Sequence, residues 1–88
     1  MEGRRLILND GTVIEDGEAG CSGASLWCWF RGYTLQKASQ LFFNKKKTAV
    51  IRFQYGDMED TYTGFTECVN LSIDSDGKIS VCMVKEAE

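Results

Sequence analysis

Histidine and proline are both absent from this chain of 88 residues. Without histidine there is no Ser-His or Cys-His nucleophile pair. Zinc would then fall to the four cysteines at 21, 28, 68 and 82. No two of them lie within the two to four residues that structural zinc sites use. Long apolar runs are missing as well. Stretches such as Ala49-Val50-Ile51 are far too short to span a bilayer. Only Leu6, Ile7 and Leu8 follow the two arginines near the start, which is too little for a signal peptide. The expected compartment is therefore the cytoplasm, with no membrane role. There is no internal repeat, no low-complexity segment and no shift of composition, so residues 1–88 read as a single domain.

Metal and nucleotide motifs are lacking too. The glycines at 17, 20 and 23 have no following lysine or dinucleotide unit, so they make no phosphate cradle. Asp74-Ser75-Asp76-Gly77-Lys78 opens like a calcium loop, but the twelfth position is Lys85 and not the glutamate such a loop needs. It reads as a hairpin turn. No cofactor, no metal and no catalytic residue is expected.

What is present is a balance suited to a small folded domain: 43% hydrophobic and 26% charged residues. The net charge is −3 and the pI about 4.9. That balance disfavours nucleic acid, whose affinity comes largely from phosphate neutralisation. The acids cluster at Glu15, Asp16 and Glu18, then at Asp57, Glu59 and Asp60. Lys45, Lys46 and Lys47 form the one basic run.

The first residues, Arg4 to Leu8, alternate into the turn Asn9-Asp10-Gly11, and Thr12 to Glu15 can pair back as a hairpin arm. Asp16 to Gly23, rich in glycine, reads as a loop. Ala24 to Arg31 reads as a strand with Leu26, Cys28 and Phe30 on one face and Trp27, Trp29 and Arg31 on the other. Bulk on both faces suggests a strand covered on both sides. Thr34 then caps a helix over about 34–44, with Leu35, Ala38, Leu41 and Phe42 on its apolar face. Asn44 would close that helix in the left-handed region. The lysine run would sit at its C-terminal end, where the dipole favours positive charge.

Beyond Thr48 the pattern is β. Ala49, Ile51, Phe53 and Tyr55 share a face, and Gly56-Asp57 turns the chain. Glu59 to Cys68 follows as strand, with Gly64 marking a bulge. Val69, Leu71 and Ile73 pair with Ile79, Val81 and Met83, which would leave Cys68 and Cys82 together on the other face. These two are the expected disulfide pair if the protein is oxidised. In a reducing cytoplasm all four thiols are expected free. The sum is an α+β domain: a twisted antiparallel sheet of about six strands, in one form partly closed into a barrel, with one amphipathic helix packed on it.

Trp27, Trp29 and Arg31 have two readings. They fill a small core or a subunit contact, or, if exposed, they mark a protein-binding surface. Binding a small ligand or a single-stranded nucleic acid by Trp27, Trp29 and Tyr33 is a third use; the acidic charge disfavours the nucleic acid. Asp57, Glu59 and Asp60 are the second candidate contact for a protein partner, of the kind that meets a basic surface.

In order along nearly the whole chain stand "LILNDGT", "LWCWFRGYTLQKASQLFF", "KTAVIRFQYGDMEDTYTGFT" and "DGKISVCMV". In this order of motifs the chain resembles small uncharacterised proteins of phages and prophages of Gram-positive bacteria. It departs from them at Asn44 to Lys46, where that pattern has an Asp-Pro pair. The resemblance implies a mobile-element origin and a bacterial host cytoplasm. It implies a non-enzymatic role in binding a phage structural protein, in virion or tail assembly and with virion association. The alternative is binding a host protein as an anti-CRISPR or anti-restriction inhibitor. A sheet edge or the tryptophan face would favour homo-oligomers. No catalytic residue comes with the resemblance.

Overall fold

A computed structural model of the chain describes residues 3–85. Its strands are β1 (Arg4–Ile7), β2 (Val13–Glu15), β3 (Glu18–Ser22), β4 (Ser25–Phe30), β5 (Val50–Tyr55), β6 (Met58–Thr63), β7 (Glu67–Ile73) and β8 (Ile79–Val84). Between β4 and β5 lie helices α1 (Leu35–Phe42) and α2 (Lys45–Thr48). The strands form two four-stranded antiparallel sheets, in the orders β2-β1-β5-β6 and β3-β4-β8-β7. The fold is thus α+β and sheet-rich, as expected, but it has two helices where one was expected and two open sheets in place of one, with no closed barrel.

Two of the eight strands were not expected. The glycine-rich stretch after Asp16 is strand β3, not loop. Its five residues pair with β4 from Glu18↔Trp29 to Ser22↔Ser25, and partner geometry here overrides weak strand propensity. The chain reaches it through a corner. Asp16 has φ 59°, a left-handed conformation that aspartate tolerates, and its N–H donates to the Arg4 carbonyl at 2.7 Å. Gly17 then passes so close to β1 that a Cβ there would meet Leu6 Cδ1 and Cγ at 2.9 Å. The second difference is that Glu59 to Cys68 is not one bulged strand. β6 belongs to one sheet and β7 to the other, and Gly64, at φ 83°, turns the chain between them. Strands that switch sheets at bends are how two packed sheets make corners.

Helix α1 begins at the expected cap: the Thr34 hydroxyl accepts from the Lys37 N–H at 3.1 Å. It ends at Phe42, short of 44. Ala38 and Phe42 are buried, whereas Leu35 is 40% exposed. Asn44 does not close α1. It is extended and opens α2, its Oδ1 accepting from the N–H groups of Lys46 and Lys47. The lysine run is therefore α2 itself, not the C-terminal turn of α1. It docks on the β1–β2 turn, where Asn9 donates to the carbonyls of Lys46 and Lys47 and Lys47 pairs with Asp10 at 3.1 Å.

The inner faces of both sheets and α1 enclose one core. Leu6, Ile14 and Ile51 come from the first sheet, and Leu26, Phe30, Ile79, Val81 and Met83 from the second. Phe42 of α1 stacks on Phe30 with centroids 5.4 Å apart. Val69 and Ile73 do not join the core as expected; they are 57% and 43% exposed. A bulge between Cys68 and Asn70 shifts the β7 register. Cys68 therefore lies across from Met83 and Cys82 across from Asn70.

Candidate functional site

Strand β4 alternates half-buried and buried along its whole length. Leu26, Cys28 and Phe30 fill the core, and the odd positions face away from it. Across from Trp27 on this outer face stand Gly20 and Cys82, and across from Trp29 stand Glu18 and Ser80. The expectation that both faces of this strand are covered is corrected here: the outer face is only partly covered. The two indoles lie parallel along the strand, centroids 6.4 Å apart and planes 11° apart. A Cβ at Gly20 would meet Trp29 Cζ3 at 3.8 Å, an ordinary contact.

The β7–β8 turn frames this face. Asp74 Oδ1 accepts from the N–H groups of Asp76 and Lys78. These bonds, with the nearby Lys78 and Arg31 charges, hold the Asp74 carboxyl below its usual range, the Lys78 N–H contributing most. The carboxylate thus organises its own turn, as the hairpin reading expects. Arg31 reaches across and donates to the Asp76 carbonyl at 2.7 Å. Lys78 Nζ lies 5.8 Å from the Trp29 ring centroid, a cation–π distance. Beside Trp29 a groove of about 480 Å³ is lined by the acids Glu15, Asp16 and Glu18 and by Arg31 and Lys78. Glu18 also pairs with Arg4 at 3.2 Å.

Of the residues singled out in the sequence, Trp27, Trp29 and Arg31 come together. Asp57, Glu59 and Asp60 do not join them. They belong to the β5–β6 hairpin of the other sheet, where Glu59 accepts from Gln54 Nε2 at 2.6 Å and Asp60 from the Tyr55 hydroxyl at 3.1 Å. The Tyr55 phenol is pushed up chiefly by that bond. Lys78 was not foreseen as part of the tryptophan face. Nor was the approach of Glu15, Asp16 and Glu18 to Trp29, which depends on β3 pairing with β4.

Cys68 and Cys82, the pair expected under oxidation, do not stand across from each other in the ladder. All four cysteines are free thiols. Residues directly opposed across a ladder share a face, so Cys68 follows Met83 inward and Cys82 follows Trp27 outward. The bulge at Val69 moves Cys68 to the core side. Burial pushes the Cys68 thiol up and raises the Cys28 thiol to about 12. Cys28 is packed as a small hydrophobe. Among the described residues no group of three or more histidine, cysteine or acidic side chains is arranged to hold a metal, and no helix is long and apolar enough to cross a membrane.

Compared with protein families, with curated proteins and with solved structures, the chain finds no match.

Proposed function

We propose that this chain is a small non-enzymatic binding protein that docks a protein partner on the outer face of β4, centred on Trp27 and Trp29. One observation carries the reading: two stacked tryptophans stand half-exposed on the side of the strand that the core does not use. Tryptophan and arginine are the side chains most enriched where interfaces concentrate their binding energy. The flanking groups on this face are small or polar, with Gly20, Ser80 and Asn70 in line with the indoles. A flat aromatic centre with a polar rim is the usual anatomy of a contact patch. The carboxylates of Glu15, Asp16 and Glu18 beside Trp29 suit a partner that brings an arginine or lysine to the edge of its own apolar patch.

Binding rather than catalysis is supported by the absence of histidine and by the employment of perturbed carboxylates in turns. The order of sequence motifs supports a phage or prophage origin and a partner among phage structural proteins in the host cytoplasm.

The test is capture of partners by the tagged protein from host cells, with the element induced and uninduced, by wild type and by the Trp27→Ser/Trp29→Ser variant. Particle proteins captured by wild type only after induction, and lost by a variant that melts as wild type does, are the expected result. Truncating a central tryptophan should weaken such a complex by about 2 kcal/mol or more, roughly thirtyfold. Undiminished capture by the variant overturns the reading. A host nuclease captured in both conditions, with affinity falling steeply in salt, moves the function to the inhibitor class and the acids of residues 57–60 to the centre.

A further inference from the structure

We propose that strand β6, together with the cleft beneath it, takes an extended segment of a partner protein as an added strand, with apolar and basic side chains alternating along that segment. This surface is separate from the tryptophan face and stands without it. Among the described residues β6 pairs with β5 on one side and with no strand on the other. Which backbone groups are free follows from the ladder. Gly64 N–H donates to the Ala49 carbonyl at 3.0 Å, and bonded and non-bonded pairs alternate in an antiparallel ladder. Met58, Asp60 and Tyr62 therefore spend their backbone bonds on β5, and Glu59, Thr61 and Thr63 point theirs at the open side.

Exposed edges are usually blunted; of the other edge strands, β3 is five residues long with Gly20 at its centre, which weakens a strand. β7 carries the bulge between Cys68 and Asn70, and β2 is three residues long. β6 runs six residues in unbroken register. Along its free side lies a cleft of about 510 Å³, lined by Thr61, Tyr62, Phe65, Cys21, Val84 and Lys85. Tyr62 and Phe65 meet edge to face at 6.4 Å, and Lys85 Nζ lies 5.4 Å from the Phe65 centroid, so the cleft offers aromatic surface with one cation over it.

The alternation of the guest follows from the host. A strand added to β6 turns every second side chain inward beside Tyr62 and the others outward beside Glu59. The inward positions want apolar groups. The outward ones pass Glu59 and the turn acid Asp57 and want cations; Asp60 lies in the Tyr62 row, where it accepts from the Tyr55 hydroxyl. Main-chain bonds supply the affinity in this mode and the alternate side chains the selectivity.

The probe is the peptide acetyl-(Lys-Val)4-amide, with acetyl-(Glu-Val)4-amide as control, added to the full chain while amide exchange is read by NMR. The expected result is at least tenfold slower exchange at Glu59, Thr61 and Thr63 with the lysine peptide and none with the glutamate peptide. Thr61→Pro removes one outward N–H without touching the β5 ladder and should cut binding at least tenfold. If that variant loses its fold, Glu59→Lys replaces it and should weaken binding at least threefold. Trp27→Ser/Trp29→Ser should bind the peptide as wild type does. Unchanged exchange at the three amides overturns the proposal, as does equal binding by the edge variant. Protection of the same amides without peptide, in a chain that sediments as a dimer, also overturns it by assigning the edge to a second copy.

Discussion

Gly17 lies against Leu6 with no room for a side chain: a Cβ would meet Leu6 Cγ and Cδ1 at 2.9 Å. Leu6 is fully buried, so it has nowhere to retreat. Gly17→Ala is therefore expected to destabilise by about 1–3 kcal/mol, the usual cost of overpacking. The urea midpoint should fall with an unchanged slope, since the denatured surface is the same.

Phe42 and Phe43 are neighbours with opposite fates. Phe42 stacks on Phe30 in the core, and Phe43 is 61% exposed. Phe42→Ala should cost about 3–5 kcal/mol, a large part of the stability a small domain has. Phe43→Ala should stay within about 0.5 kcal/mol. Thermal melts of the two variants side by side check the assignment of the α1 face.

The carboxyl of Asp10 is lowered to about 2, first by its hydrogen bond with Thr12 and then by Lys47. A depressed folded pKa stabilises above the unfolded value, here 3.8, and that contribution is lost as pH falls through the folded value. The window is thus pH 4 down to about 2. An NMR titration should show Asp10 as a late-titrating carboxylate, and Asp10→Asn should flatten that part of the acid-unfolding curve. A midpoint near 3.8 would count against the turn geometry.

Cysteine accessibility differs sharply along the chain. Cys21 is exposed, while Cys28 is fully buried with its thiol raised to about 12. The thiolate is the reactive form. Iodoacetamide at neutral pH should alkylate Cys21 in the native protein and leave Cys28 untouched until denaturant is added. Peptide mass spectrometry reads both sites at once.

Much of this fold was legible where pattern and partner agree. The odd–even division of Leu26 to Phe30, the Thr34 cap and the face of Ile79, Val81 and Met83 all follow from spacing, because one side of each element must be buried. β3 was not legible, since Glu18-Ala19-Gly20-Cys21-Ser22 has no β-branched residue and becomes strand only through β4. Asn44 was assigned to the wrong helix because its side chain serves either end, and only the backbone, extended at φ −102°, decides. The bulge near Val69 leaves no mark in hydrophobic alternation yet moves Cys68 to the other side of the sheet. The tryptophan face was half legible. Its residues were visible, but their exposure depended on which of two bulky faces the first sheet and α1 would cover.

The order of strands also bears on how the chain is made. β8 lies between β4 and β7 and is laddered to both. On a ribosome, Trp27 and Trp29 emerge long before residues 79–84 exist to complete their sheet. The first sheet can assemble once Thr63 is out, whereas the second must wait for its central strand. Closing contacts across that sequence separation is slow relative to helix formation, so folding of the tryptophan-bearing half is expected to follow that of the first sheet.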